Sequence, residues 1–274
     1  MFQEFRIASG GLIDRGKEIS FIFNGNKYTG YKGDTLASAL LANGIHLIGR
    51  SFKYHRPRGI FAAGVEDANG KVQLYKDNIT EPNVNVTEIE LVEGLRIESQ
   101  NCWPSVKFDI GGINNFFSRF FPAGFYYKTF MWPKSFWYHV YEPFIRKAAG
   151  MGKAPLDPDP DRYDHRYEHC DILVVGSGPS GISSALAAAK NGARVILAED
   201  KARFGGSLLT DNVTIGNKNG DEWVDDSIAE LKSMPNVIVR KRSQVFGYYD
   251  HNMLVMFERC KDHLKNPEPY TPRQ

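Results

Sequence analysis

The stretch DILVVGSGPSGISSALAAAKNGARVILAED, residues 171–200, constrains the fold of this chain more than any other. Residues 172–175 are apolar, as in a buried parallel strand. The glycine turn G-x-G-x-x-G follows over residues 176–181, and then comes a helix with one apolar face. Residues 194–197 resume a strand pattern that leads to Glu199. This order predicts the first half of a Rossmann-type dinucleotide-binding domain.

Each glycine of the turn has a predicted task. Gly176 permits the tight turn, Gly178 lets a pyrophosphate approach the backbone, and Gly181 lets the helix pack on the strand. Pro179 and Ser180 complete the turn. The helix begins there, and its free N–H groups and partial positive charge favour phosphate.

The acidic end of the second strand indicates the type of cofactor. Glu199 is placed to accept hydrogen bonds from a ribose and would repel a 2′-phosphate. NADP is therefore disfavoured, although Lys201 and Arg203 leave it possible. The acid does not separate NAD from FAD, because both contain the same adenosine ribose. Gly205 and Gly206 form a double glycine that is typical of flavoprotein and pyridine-nucleotide domains.

Further elements complete the second region, predicted as residues 166–274. Residues 227–234 have a helical pattern, residues 236–240 form a third strand, and a hairpin turns at residues 250–252. The chain ends soon after this hairpin, so we expect an incomplete nucleotide-binding domain that binds NAD poorly alone.

The first region, residues 1–100, begins with two short strands within residues 19–31 around an Asn-Gly turn. Asp34 or Thr35 is expected to cap a helix that ends at Gly44. This pattern is typical of a β-grasp domain and resembles the plant-type 2Fe–2S ferredoxins.

In the ferredoxins, closely spaced cysteines after the helix bind the cluster. Residues 50–67 contain no cysteine here. We therefore predict a cluster-less ferredoxin-like domain and no iron–sulfur cluster. The three cysteines, Cys102, Cys170 and Cys260, lie far apart, so neither a disulfide framework nor a metal site is expected.

The loop that replaces the cysteines mixes basic and aromatic residues. They are Arg50, Phe52, Lys53, Tyr54, His55, Arg56 and Arg58. Such a loop could hold phosphates or stack on bases. A cationic surface that docks on another domain or subunit is favoured, because the net charge of the chain is only +2.

Residues 101–165 are predicted to form an aromatic arm and a linker. Aromatic side chains crowd residues 116–144, but Pro122, Pro133 and Pro143 rule out one continuous helix. We expect the aromatics either to anchor a partner subunit or to fill a gap between the chain's own domains.

Composition excludes several classes of function. The net charge of +2 gives no reason to expect nucleic acid. No apolar run approaches the roughly 20 residues of a membrane-spanning helix, and the first residues lack a secretory signal. A cytoplasmic protein is the expectation.

Five segments together carry a specific resemblance. RSFKYHRPRGI, FPAGFYYKTFMWP, YEPFIRKAAGMG, CDILVVGSGPSG and FGYYDHN resemble the α subunits of heterotetrameric sarcosine oxidases. The resemblance implies a cluster-less ferredoxin-like region, an NAD-binding Rossmann domain and a folate-binding half that this chain lacks. It also implies β, γ and δ partner subunits, with FAD and FMN mainly on or beside β. The assembled enzyme would oxidise sarcosine to glycine with oxygen and tetrahydrofolate.

The resemblance and the glycine motif together give a set of cofactor-binding residues. The pyrophosphate, ribose and adenine are expected at Gly176, Gly178, Pro179, Ser180, Gly181, Glu199, Asp200, Lys201, Gly206, Ser207 and Val245. No catalytic residue is expected in this chain.

Two other functions stay open. One is an FAD-binding fragment of a related amine or opine dehydrogenase subunit. The other is a non-catalytic scaffold that holds a structural nucleotide. The expected fold is α/β and α+β: a cluster-less β-grasp domain followed by an incomplete Rossmann-type domain.

Overall fold

The computed structural model describes residues 3–76, 79–121, 124, 130–149 and 152–274, with backbone only for 147–149. The chain divides into two compact units. Unit 1 contains Met1–Ala8 and Ile13–Asp159, and unit 2 contains Ser9–Leu12 and Pro160–Gln274.

Unit 1 is built on a five-stranded mixed sheet. Its strands and first helix are β1 Asp14–Phe23, β2 Asn26–Lys32, α1 Leu36–Ala42, β3 Gly49–Arg50, β4 Pro57–Arg58, β5 Lys71–Lys76, β6 Ile79–Asn85 and β7 Arg96–Ser99. The sheet order is β2-β1-β7-β5-β6, with β1 parallel to β7 and the other neighbours antiparallel. Strands β3 and β4 form a separate short ladder.

The hairpin and helix at the start of unit 1 confirm the sequence prediction. Asn24 and Gly25 both have positive φ, as a two-residue hairpin turn requires. Thr35, not Asp34, caps α1: its hydroxyl accepts from the Ser38 N–H. The apolar face of α1 packs with residues of the sheet, including the fully buried Phe21, in the core of this unit.

Asp34 has a different task from capping. Its carboxylate is buried and binds both terminal nitrogens of Arg6, at 3.1 and 2.7 Å. It also accepts from the Tyr31 N–H and the Ser38 hydroxyl. Asp34 therefore fastens the N-terminal segment to the hairpin and the helix.

The loop of basic and aromatic residues contacts its own unit. The Arg50 guanidinium donates to the carbonyls of Val106 and His55, at 2.9 and 3.2 Å. The His55 ring lies 2.7 Å from the carboxylate of Asp109, and both side chains are largely buried. Arg50 and His55 belong to the loop that was predicted to form an outward docking surface. In the structure they instead bind the segment that follows β7.

The described part of the aromatic arm is short and irregular. It contains 3-10 turns at Ile110–Asn115 and Ser118–Phe120, a π-helical turn at Trp137–Tyr141, and α2 at Glu142–Ala149. This agrees with the prediction that no single helix spans the arm. Phe116 and Trp132 are 86% and 84% exposed. Residues 122, 123, 125–129, 150 and 151 of the quoted segments lie outside the described residues.

Unit 2 contains a three-stranded parallel sheet. Its elements are β8 Ile172–Val175, α3 Pro179–Lys190, β9 Val195–Ala198, β10 Thr214–Ile215, β11 Lys218–Asn219, α4 Gly220–Ser233, β12 Val237–Arg240, β13 Ser243–Tyr249 and β14 Met253–Glu258. The order is β12-β9-β8, with α3 and α4 as the crossovers. Both helices contribute buried side chains to one apolar cluster with β9.

The predictions for this part of the fold are mostly confirmed. The third strand forms, and β13 and β14 pair around the turn at residues 250–252. Helix α4, however, begins seven residues earlier than predicted, because Asn219 and Glu222 form a capping box. No helix among the described residues is long and apolar enough to cross a membrane.

Candidate functional site

The candidate site lies at the carboxyl ends of β8 and β9, where the glycine turn leads into α3. Gly176 follows β8 with φ of +92°, a conformation that favours glycine. A methyl group on Gly181 would lie 2.0 Å from the Gly176 carbonyl oxygen, so only glycine permits this approach of helix and turn. A methyl group on Gly178 would meet no atom within 4 Å. The turn therefore presents open backbone at Gly178.

The start of α3 provides hydrogen-bond donors beside that opening. Gly178 is the N-cap residue, and its carbonyl accepts from the Ile182 N–H at 2.9 Å. Pro179 has no N–H, and the N–H groups of Ser180 and Gly181 precede the first helical bond. These groups and the helix dipole favour a negatively charged ligand.

A second glycine turn packs against the first. Gly205 and Gly206 have φ of +126° and +55°. A methyl group on Gly206 would lie 2.8 Å from the Gly178 Cα, so glycine is needed for this close approach. The turn continues into the 3-10 segment that contains Ser207. The close packing of the two turns is therefore a physical reason for the glycine at Gly206, which the sequence pattern alone did not provide.

Ser177 connects the two turns to the acidic end of β9. It is fully buried, and the Gly205 N–H donates to its carbonyl and hydroxyl oxygens at 3.0 and 3.2 Å. Its own N–H and hydroxyl both donate to Oε2 of Glu199, at 2.8 and 2.5 Å. The sequence did not predict a role for this residue, because the motif leaves its position unspecified.

Glu199 is buried, with 4% of its surface exposed. Its Oε1 accepts from the Lys201 N–H at 3.0 Å. Its backbone accepts from the Ser243 N–H at 2.7 Å and donates to the Arg240 carbonyl. The predicted ribose acid is thus buried and bonded by donors of the protein itself.

Asp200 and Glu199 have opposite pKa shifts. Burial, the hydrogen bond to Glu199 and the charge of Glu199 raise the pKa of Asp200 to about 6, against the pull of Lys201 and Arg259. For Glu199, burial acts to raise the pKa, but hydrogen bonds from Asp200, Ser177 and Lys201 outweigh it and lower the pKa. Below pH about 6 the proton of the pair therefore resides on Asp200.

The Asp200→Asn variant is expected to be more stable than the wild type above pH 6 and equally stable near pH 4. The folded-state pKa of about 6 lies above the ordinary value of 3.8. The folded chain therefore binds more protons than the unfolded chain between these values, and its stability falls as pH rises through them. Asn is neutral throughout and removes this loss.

Thermal unfolding across this pH range measures the difference in Tm between the variant and the wild type. The control Asp225→Asn changes an exposed aspartate of α4 and should leave the pH trend of the wild type intact. A gain in Tm for Asp200→Asn that is as large at pH 4 as at pH 8 would contradict the raised pKa of Asp200.

Other predicted binding residues lie around this centre. Val245 is in β13, which begins at the Ser243 bonded to Glu199, and it pairs with Met256. Arg203, whose charge left NADP possible, donates to the Leu12 carbonyl at 3.2 Å. The Ser9–Leu12 segment therefore reaches the loop after β9, which the sequence did not predict.

Two parts of the chain match known protein families. Residues 16–102 match the family described as "2Fe-2S iron-sulfur cluster binding domain", and residues 171–243 match "FAD dependent oxidoreductase". The first match contradicts our predictions of a cluster-less first domain and of no iron–sulfur cluster. Those predictions were wrong because they used the cysteine content of one loop, whereas the match extends over the whole hairpin, helix and sheet.

The residues of this chain that could bind metal do not match the usual ligands of a 2Fe–2S cluster. A 2Fe–2S cluster is held by about four ligands, commonly cysteine thiolates, and residues 16–102 contain Cys102 as their one cysteine. Burial raises the pKa of the Cys102 thiol, which keeps it protonated. The described residues contain no group of three or more His, Cys, Asp or Glu side chains arranged to hold a metal ion.

Similar proteins confirm the resemblance found in the sequence. The chain is 50% identical, over 98% of its length, to the sarcosine oxidase α subunit of Rhizobium meliloti (strain 1021). It is 30% identical to the protein of the same description from Corynebacterium sp. (strain P-1), over 93% of its length. It spans 27% and 22% of these two relatives. Both relatives are described as subunits of an oxidase, the class of protein that the sequence predicts for this chain.

Two weaker similarities concern an opine oxidase subunit and the structure of an L-proline dehydrogenase. One of the opine oxidase subunits of Agrobacterium tumefaciens (strain Ach5) is 30% identical over 28% of this chain and 16% of its own length. The solved structure of L-proline dehydrogenase from P. horikoshii has a TM-score of 0.52, with 19% identity over 89% of this chain and 38% of that chain. At this identity the structural similarity concerns the fold alone.

Proposed function

We propose that residues 171–243 bind the ADP part of a dinucleotide, with NAD as the first candidate. The observation that carries this proposal is the open backbone at Gly178, bordered by the start of α3 and by the second glycine turn. A pyrophosphate has two negative charges and many acceptor oxygens. The exposed N–H groups of a helix start match it.

Each predicted binding residue has a place in this proposal. Gly176, Gly178, Pro179, Ser180 and Gly181 form the cradle for the pyrophosphate, and Gly206 and Ser207 border it. Glu199, Asp200 and Lys201 face the adenosine ribose, and the backbone at Val245 borders the adenine. The protein orients the nucleotide and excludes water beneath it. The redox chemistry would come from the cofactor.

FAD is the second candidate, because residues 171–243 match a family of FAD-dependent oxidoreductases. FAD and NAD share the ADP part, and the residues above contact only that part. Geometry within this unit therefore supports both, and the identity of the bound nucleotide has to be measured.

For the whole protein, we propose a role as the α subunit of a sarcosine oxidase-type complex. The complex would oxidise sarcosine to glycine with oxygen and tetrahydrofolate. The long similarities to sarcosine oxidase α subunits support this proposal. Exposed aromatic side chains such as Phe116 and Trp132 support contacts with β, γ or δ subunits. A scaffold with a structural nucleotide is the alternative, since we assign no catalytic residue.

The test is to denature the purified protein and identify the nucleotide that it releases. Absorption of free flavin would indicate FAD, and chromatography with an enzymatic assay would identify NAD. At most one nucleotide per chain is expected, because the sequence predicts weak NAD binding by this chain alone. If none is released, and neither NAD nor FAD binds to the nucleotide-free protein, then the proposed site is wrong.

A further inference from the structure

We propose that Ser177 is the positioning residue for ribose recognition. Its hydroxyl links the second glycine turn to Glu199 and fixes the carboxylate so that Oε1 is the oxygen that accepts from the ribose. This inference rests on the proposed dinucleotide site. It assigns the selectivity for the ribose 2′-hydroxyl to a residue that the glycine motif leaves unspecified.

The Ser177 hydroxyl has a fixed direction. The residue is fully buried, and the Gly205 N–H donates to the hydroxyl oxygen at 3.2 Å. The hydroxyl proton in turn donates to Oε2 of Glu199. Because an ionised carboxylate can only accept, the two hydrogen bonds run in one direction. They form a relay from the second glycine turn to the acid that follows β9.

The two oxygens of the Glu199 carboxylate differ in their partners. Each carboxylate oxygen has about two lone-pair positions. Ser177 supplies two donors to Oε2, its hydroxyl and its N–H, the latter at 2.8 Å. Oε1 accepts from the Lys201 N–H at 3.0 Å. Oε2 is therefore committed to Ser177, and we infer that the ribose hydroxyl donates to Oε1.

Glu199 cannot easily take another orientation. It is only 4% exposed, and its backbone is held by the Ser243 N–H and the Arg240 carbonyl. Turning the carboxylate would leave the two buried donors of Ser177 without a partner, which is unfavourable. The acceptor is therefore set before the ligand arrives, so binding does not have to order it.

The same residue connects the two ends of the ADP site. Gly205 precedes Gly206, and a methyl group on Gly206 would lie 2.8 Å from the Gly178 Cα. The second turn therefore packs on the backbone that is proposed to bind the pyrophosphate. Through Gly205 and Ser177 this turn is also joined to the proposed ribose acid, Glu199. Ser177 thus fixes the ribose acceptor relative to the pyrophosphate cradle.

The Ser177→Ala variant removes only the hydroxyl from this arrangement. The N–H of residue 177 still donates to Oε2 of Glu199. The Gly205 N–H keeps the carbonyl of residue 177 as an acceptor, at 3.0 Å, so we expect the variant to fold. Oε2 is then held by one donor instead of two, and the carboxylate can turn. The orientation that selects the ribose hydroxyl is lost.

The experiment is calorimetric titration of the nucleotide-free full chain with NAD and with an NAD analogue that lacks the adenosine 2′-hydroxyl. If NAD does not bind, FAD and its matching analogue are the probes. The readout is the ratio of the two Kd values. We expect the wild type to prefer the natural cofactor about tenfold or more, as for a hydrogen bond to a charged group. In Ser177→Ala this ratio should be about fivefold smaller. General damage to the site would weaken both ligands equally and leave the ratio unchanged.

Two further arms make the result specific. Ser184→Ala is the matched control, because it makes the same change at an exposed position of α3 and should keep the wild-type ratio. Glu199→Gln should lower the ratio, and adding Ser177→Ala to it should lower the ratio no further, since Ser177 acts through Glu199. Circular dichroism checks the fold of each variant. If Ser177→Ala does not fold, Ser177→Cys nearly keeps the volume with a weak donor and is judged by the same ratio.

Three results would overturn this inference and leave the dinucleotide site intact. They are equal wild-type affinities for the cofactor and its analogue, a Ser177→Ala ratio within twofold of the wild type, and a further fall in the ratio when Ser177→Ala is added to Glu199→Gln. Absence of binding of both NAD and FAD to the wild type would instead reject the proposed function.

Discussion

The Gly178→Val variant is expected to remain folded and to lose at least about 100-fold in dinucleotide affinity, or roughly 2.7 kcal/mol. The Cβ of the new side chain would meet no protein atom within 4 Å, so the side chain starts into open space above the turn. The φ and ψ of Gly178, −65° and 175°, are accessible to any L-residue. The expected stability cost is about 1 kcal/mol, from the poorer N-cap.

Titration of NAD and FAD into wild type and variant measures the loss, and urea unfolding measures the stability. Gly112→Val is the matched control in unit 1, because a methyl group there also meets no atom within 4 Å. It should leave affinity unchanged. Normal affinity of Gly178→Val would show that the pyrophosphate does not lie over this turn.

The sequence predicted the part of the site that depends on local backbone chemistry. Gly176 needs its positive φ, and Gly181 has no space for a side chain. These requirements belong to one short turn, and so they appear as a motif. The same holds for the hairpin at Asn24 and Gly25, where the turn geometry itself demands those residues.

Long-range contacts could not be predicted in this way. Ser177 occupies a position that the motif leaves free, and its role depends on Glu199, twenty-two residues later in the chain. The Ser9–Leu12 segment belongs to unit 2 although it precedes the whole of β1. Contacts of this kind follow from packing and leave no regular spacing in the sequence.

The first domain shows a different limit of sequence reasoning. A loop without cysteines led to the prediction of a cluster-less domain, and the family match contradicts it. Fold and ligand set are separate properties, because a core such as that around Phe21 is conferred by apolar packing. The residues that would bind a cluster must therefore be judged independently of the fold. In the loop without cysteines, Arg50 binds a backbone carbonyl and His55 binds a carboxylate of the chain itself.

The Gly181→Ala variant is expected to destabilise unit 2 by more than about 4 kcal/mol, which is large among single substitutions. Helix propensity alone would favour alanine over glycine by about 1 kcal/mol. The new methyl group, however, would lie 2.0 Å from the Gly176 oxygen and 3.1 Å from its carbonyl carbon. Those atoms are backbone of a turn fixed by Ser177, so α3 must move away from β8.

Hydrogen exchange of peptides from α3 and β9 measures this effect separately from unit 1. Gly178→Ala is the matched control, since it adds the same methyl group three residues earlier, where space is open. We expect fast exchange in Gly181→Ala and near-native exchange in Gly178→Ala, with dinucleotide binding weakened in both. Gly181→Ala would then lose binding because the turn is distorted, and Gly178→Ala would lose it because the methyl group occupies space needed by the ligand. Equal protection in the two variants would mean that the close contact between helix and turn does not exist.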